Sequence, residues 1–208
     1  GSFISINKLL ERFSESFNIK KETLQTWTKF YNEYVGQFNF NKMKKSKLND
    51  IRESFFLEGI NIELDKIDSL IVSDIKVLND ISNKFSNLIE NEKDKNIKVD
   101  YTDKDGYFLR MTTRRFKMLP TKFIIEYTFN NKQEYITNKN LDIVNLKGTV
   151  KIFSKNITSI SKNISKNKSL LHEKILEEYL KILDYYSKKY KNIFIKVSNI
   201  IAEIDFIF

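Results

Sequence analysis

The sequence predicts an α+β fold, mostly helical with a small β insertion: a long antiparallel helical hairpin carrying a small antiparallel β-sheet at its tip. Three observations carry this. Apolar residues recur at spacings of three and four along most of the 208-residue chain. Pro occurs once and Gly five times, so few breakers interrupt long elements. Between Ile97 and Thr137 the period shortens to two, the period of a half-buried strand.

Residues 3–61 read as a helical core segment. Phe3, Ile6, Leu10, Phe13 and Phe17 predict a first helix over 3–17. Leu24, Trp27, Tyr31, Tyr34 or Val35, and Phe38 predict a second over 22–38, with Trp27, Tyr31 and Tyr34 as helix-packing surface. The polar, basic stretch 39–47 reads as a loop, and Gly59 marks a turn within the mixed stretch 48–61. A long helix follows over 62–92, striped by Leu64, Ile67, Ile71, Ile75, Leu78, Ile81, Phe85 and Leu88, and closed by Lys93-Asp94-Lys95-Asn96.

Residues 97–137 form the expected β module. Ile97, Val99 and Tyr101 alternate, Asp105-Gly106 is a favourable hairpin turn, and 107–113 is the return strand. Pro120 breaks the chain; 123–129 is a third strand, 130–133 a turn and 134–136 a short extension. From Asn138 the helical period resumes. Leu146, Val150, Phe153, Ile157, Ile160 and Ile164 begin a seam that continues through Leu171, Ile175 and onward to Ile204. It is expected to lie against an antiparallel partner including the 62–92 helix. Gly148, inside the seam, marks a kink or the true helix start.

Composition excludes several classes. Cys is absent, which removes disulfide scaffolds and thiolate zinc sites. No apolar run is long enough for a membrane span, and no signal peptide is evident. An intracellular protein is expected. Formal net charge is +9, which favours a polyanionic partner. The charge is unevenly spread. No acid occurs from Gly106 to Ile125, where Arg110, Arg114, Arg115, Lys117 and Lys122 lie.

Five short stretches carry a family resemblance. Ile51-Arg52-Glu53 with Glu63-Leu64-Asp65 resembles "IREG…GY…ELDELR". Ile97-Lys98-Val99-Asp100-Tyr101 with Gly106-Tyr107-Phe108-Leu109 resembles "LKVGYN…GYYI". Tyr127-Thr128-Phe129-Asn130-Asn131 with Glu134-Tyr135-Ile136-Thr137 resembles "QTLKNAERYI". Glu173-Lys174-Ile175-Leu176-Glu177-Glu178 resembles "EKQLYEEL", and Ile201-Ala202-Glu203-Ile204-Asp205 resembles "LAELD". These motifs stand in this order in the lever and clamp of the MutS family of DNA mismatch-repair proteins.

The resemblance implies a descending lever helix at 62–96, a β-rich DNA clamp at 97–137 and ascending lever helices at 138–208. It also implies a dimeric parent protein whose ATPase, with its ATP and Mg, lies outside this chain; no phosphate-loop motif occurs here. The stretch between Tyr135 and Glu173 is about 15 residues longer than the bacterial pattern, which predicts an extra helical segment. At the "KNAER" site the family's lysine corresponds to Asn130 and its arginine to Glu134, with a lysine instead at Lys132.

The expected partner is double-stranded DNA, gripped through its phosphates without sequence preference. Cations and turn amides suit phosphate oxygens. Candidate contacts are Arg114, Arg115 and Lys117 after the second strand, and Asn130, Asn131 and Lys132 in the later turn. The row Lys147, Lys151, Lys155, Lys162 and Lys166 reads as the wet side of an amphipathic helix, with an extended basic track as its alternative. Tyr107 and Phe108 read as core rather than stacking platforms. The lone His172 reads as a surface residue, and Asp103 with Asp105 as a polar turn rather than a cation site. No catalytic constellation, metal site or cofactor is expected in this chain. A structural coiled-coil scaffold that binds other proteins through its heptad surface is the alternative reading.

Overall fold

The computed structural model describes residues 2–47, 51, 53–89 and 97–207. The expected helix end at 90–92, its closing Lys93–Asn96 stretch and Arg52 of the first motif lie outside the described residues. The chain divides into two compact units, residues 1–65 with 171–208, and residues 66–170. The expected class holds: helices predominate, with a small antiparallel β component.

The first unit is helical. It contains α1 (Ser2–Phe13), α2 (Lys21–Val35), α3 (Phe40–Lys45) and α7 (Lys191–Ile207), with the first residues of α4 (Ile62–Asn87) and the later part of α6 (Lys155–Lys189). Trp27, Phe30 and Tyr34 fall three and four apart on α2, so they share one face, and all three are buried. The Phe30 ring meets those of Tyr190 at 5.3 Å and Phe194 at 4.8 Å. Such edge and tilted contacts add to the burial of large apolar area.

Three local expectations change here. The stretch 39–47 is not a loop. Asn39 caps α3 by accepting the N–H groups of Asn41 and Lys42, which satisfies donors a helix start otherwise leaves open. The second helix ends at Val35 rather than Phe38, and Phe38 forms an isolated bridge with Phe56. His172 is half-buried, and its Nδ1 accepts the N–H of Ile51 at 3.2 Å, so it ties Ile51 to α6.

The second unit builds the β module on α4 and α6. A four-stranded antiparallel sheet has the order β1 (Lys98–Thr102), β2 (Gly106–Thr112), β6 (Thr149–Ser154), β5 (Leu141–Leu146). The hairpin of β3 (Ile124–Phe129) and β4 (Lys132–Thr137) stands as a separate two-stranded sheet. The four-residue α5 (Thr113–Phe116) follows β2. One sheet face supplies the core through Leu109, Met111, Val150 and Ile152, all at most 2% exposed.

The helical seam expected from Asn138 is overturned over its first 17 residues. After a 3-10 turn at Asn138–Asn140, residues 141–154 form two strands, and α6 begins only at Lys155. Leu146, Val150 and Phe153 fall at helical spacing by coincidence. Val150 and Ile152 also alternate with Lys151 and Phe153, and that period of two is the one adopted. Gly148, at φ +80°, is neither kink nor helix start. It supplies the left-handed residue of the turn between β5 and β6. The extra length after Tyr135 is therefore sheet rather than added helix. From Ile157 the helical spacing does hold: Ile157, Ile160 and Ile164 are fully buried.

One buried polar group in this unit sets a pH dependence. Asp74 on α4 is 6% exposed, and one of its oxygens, Oδ2, is buried without a partner among the described residues. Burial pushes its carboxyl above the usual range, and a hydrogen bond from Asn163 offsets this only in part. The folded state thus holds the proton more tightly than the unfolded chain. Stability from this group is present below about pH 4 and declines as pH rises toward the folded pKa. Asp74→Asn is expected to raise Tm at pH 7 and to lose that advantage at pH 4, as thermal melts at the two pH values would read. An equal effect at both would contradict it.

Candidate nucleic-acid interface

The β1–β2 turn is a three-residue loop, 103–105, closed by the pair Thr102 and Gly106. Gly106 takes φ +71°, the left-handed position such loops require. The turn is therefore one residue longer than an Asp105-Gly106 dipeptide turn. The Thr102 hydroxyl donates to Asp105 Oδ2 at 3.1 Å, and the Asp105 N–H donates back to Thr102 Oγ1. Lys151 Nζ also reaches Asp105 Oδ2, at 2.6 Å, and holds that carboxyl below its usual range. The polar-turn reading of Asp103 and Asp105 stands. Among the described residues no group of three His, Cys, Asp or Glu is placed to hold a metal.

Register then assembles a cationic row on the outer sheet face. Lys98 pairs with Arg110, and Arg110 with Lys151, so the three share one side across three strands. Arg110 Nη1 donates to Asp100 Oδ2 at 3.0 Å, and the Tyr101 N–H donates to Asp100 Oδ1 at 2.9 Å. Both bonds, that of Arg110 foremost, hold the Asp100 carboxyl below the usual range. A shallow pocket of about 410 Å³ opens here, lined among others by Lys98, Asp100, Arg110, Thr112, Arg115 and Thr149. Phe108 is buried, with Lys151 Nζ 4.5 Å above its ring, and half-buried Tyr107 accepts Lys168 Nζ at 2.6 Å. Phe108 is core, as expected, while Tyr107 is only half-buried.

Arg114 and Arg115 sit on α5, a single helical turn. Thr112 Oγ1 accepts the Arg115 N–H, and the Thr113 N–H donates to the Gly148 carbonyl at 3.2 Å. The turn between β5 and β6 therefore anchors this helix, and brings Lys147 into the neighbourhood of the arginines. Arg114, Lys117 and Lys147 are exposed and make no ion pair with a described residue. Arg115 is half-buried in the pocket wall.

Asn130, Asn131 and Lys132 belong to the other hairpin. The turn has two residues rather than four: Asn130 and Asn131 both take positive φ, 51° and 59°, the type I′ geometry that asparagine tolerates. Lys132 opens β4 directly after it and is exposed. Ile125, Tyr127 and Ile136 bury the inner face of this hairpin, and Phe123 meets Phe85 of α4 at 5.5 Å. Lys84 donates to the Glu126 carbonyl at 2.7 Å. Asn156 donates to the Tyr127 hydroxyl at 2.7 Å and to Glu134 at 3.3 Å. Burial pushes the Tyr127 phenol up. Glu134, where the family motif carries arginine, thus anchors the hairpin to α6.

The structure brings Arg115 together with Lys98 and Arg110, and sets Arg114 and Lys117 on the same short turn. It places Asn130, Asn131 and Lys132 on a separate tip. The lysine row is broken: Lys147 and Lys151 are on the sheet, while Lys155, Lys162 and Lys166 are on α6. Charge is concentrated in this unit. Residues 66–170 hold 20 Lys and Arg against 12 Asp and Glu, a net of +8 out of the chain's +9.

Residues 59–151 match the family model for MutS family domain IV. Over that stretch the chain is similar to MutS family domain IV. A mutS homologue of Acanthamoeba polyphaga mimivirus, whose name assigns it to DNA mismatch repair, is 24% identical over 207 aligned residues. The alignment covers 91% of this chain, which spans 18% of that relative's length. The matched stretch takes in α4, all of β1 to β5 and β6 as far as Lys151, with all six candidate contacts inside it. The two central motifs of the resemblance correspond to the β1–β2 and β3–β4 hairpins of domain IV.

Lys98, Arg110 and Lys147 are not among the candidate contacts that sequence reasoning singles out. For the first two a signal exists: they alternate with the apolar Val99 and Leu109, and the loop length fixes their register. No helix among the described residues is long and apolar enough to cross a membrane.

Proposed function

We propose that this chain binds double-stranded DNA through its phosphates as the domain IV region of a mismatch-repair protein, without sequence preference. The observation that carries the reading is the net charge of +8 on the unit that contains domain IV, with Arg114, Lys117, Lys132 and Lys147 exposed at the ends of its hairpins. Such groups neutralise phosphate and release counterions, which ties affinity to salt. In the full-length protein, ATP-driven changes would reach this grip along α4 and α6, helices that supply residues to both units.

Burial argues against the scaffold alternative. Ile157, Ile160, Ile164, Leu171 and Ile175, the heart of the heptad stripe, are fully buried within the chain itself. They offer no surface to another protein.

The test is fluorescence anisotropy of a labelled duplex across a salt series. Affinity is expected to fall steeply with salt. Arg114→Ala/Arg115→Ala/Lys117→Ala is expected to flatten the log–log slope by about 0.9 for each phosphate left without its cation. Lys132→Ala should flatten it by one such step. Absence of binding at low salt would overturn the reading.

A further inference from the structure

The pocket between β1, β2, β6 and α5 contains one carboxylate among its cations, and that carboxylate occupies the most central of them. We propose that this pocket seats one backbone phosphate of bound DNA, and that Asp100 competes with that phosphate for Arg110 and so limits affinity. The inference rests on the DNA reading above.

Lys98, Arg110 and Arg115 converge on the pocket, with the hydroxyls of Thr112 and Thr149 beside them. Two or three cations with neutral donors in a concave space are a phosphate's chemistry. The Asp100–Arg110 pair is open to solvent, with side chains 37% and 51% exposed, and exposed pairs of this kind are weak and exchangeable. Only Nη1 of Arg110 engages Asp100. A guanidinium carries five N–H donors, so a phosphate can approach the others first.

Asp100 does not leave when displaced. The Tyr101 N–H holds its other oxygen, which keeps the carboxylate at the pocket wall. With its pKa lowered it stays ionised throughout the neutral range, and it repels the phosphate it faces. Removal of one such charge at contact distance, screened by water, is worth about fivefold in affinity.

The experiment compares the 208-residue chain with Asp100→Asn, Arg110→Ala and the double variant by duplex binding across salt. Asparagine keeps the acceptor for Tyr101 N–H, and a thermal melt confirms folding. A second readout follows the Arg110 side-chain N–H signals of the unaltered chain by NMR, on addition of duplex or of inorganic phosphate. Asp100→Asn is expected to bind about fivefold tighter, with a salt slope steeper by up to about 0.9. In the double variant that gain should vanish, and the duplex should move the Arg110 signals more than inorganic phosphate does.

If the chain binds DNA but Asp100→Asn binds equally or more weakly, Asp100 only positions Arg110 and the inference is overturned. Arg110 signals that ignore the duplex, or that respond as fully to inorganic phosphate, overturn the DNA-phosphate seat. If neither the chain nor any variant binds, the DNA reading itself has failed.

Discussion

Phe85→Ala is expected to lower the unfolding free energy by about 3–5 kcal/mol, the range for deleting a fully buried phenyl ring. Phe85 is fully buried on α4, and its ring stands edge-on to Phe123 at 5.5 Å, just before β3. The polar ties nearby cannot compensate. Lys84 to the Glu126 carbonyl is an exposed bond, and exposed bonds contribute little against solvent. The loss should concentrate in the β3–β4 hairpin. Urea denaturation reads the total, and hydrogen exchange of the β3–β4 amides reads the local part. A cost below about 1 kcal/mol would mean that the hairpin is not packed on α4 through this ring. The variant should also weaken the duplex contact proposed for Lys132, because that lysine is carried by this hairpin.

Gly106→Ala is expected to cost about 2–4 kcal/mol, combining a left-handed non-glycine residue with a broken, part-buried hydrogen bond. At φ +71° an L side chain is strained, and a Cβ built there would stand 2.5 Å from Ser161 Oγ. Ser161 is 5% exposed, and its Oγ accepts the Tyr107 N–H at 2.7 Å. A rotation of Ser161 away from the clash would abandon that bond and leave the Tyr107 amide unpaired. Ser161→Ala/Gly106→Ala separates the two contributions: the double variant relieves the clash but keeps the backbone strain. Thermal unfolding of Gly106→Ala, Ser161→Ala and the double variant is the measurement. A single variant as stable as the parent would show that the turn is not held against α6 as described.

Much of the fold is legible in the sequence. A period of three and four in α4 and in α6 from Ile157 marks the helices, because only a helix places such residues on one face. Alternation from Ile97, with glycine after a polar loop, marks the first hairpin. The boundary at 138–154 is not legible, because Leu146, Val150, Phe153 and Ile157 satisfy a helical spacing while 149–154 also satisfies a strand's. Short apolar patterns fit both periods, and pairing with β2 decides between them. The loop expected at 39–47 fails for a related reason: a single capping asparagine outweighs a polar composition.

The candidate interface divides in the same way. Sequence alone determined that this protein is helical with one β-rich, acid-poor basic stretch, and its residue order carries the MutS resemblance that domain IV bears out. Those are properties of composition and local period, which need no partner strand. Only the tertiary structure decided that Lys98, Arg110 and Arg115 meet in one pocket with Asp100, because strand register sets which distant residues face each other. It also decided that Glu134 turns to Asn156 and that Lys147 and Lys151 leave the helical row. Charge can be counted along a chain, but which charges neutralise one another depends on distances that only the fold sets.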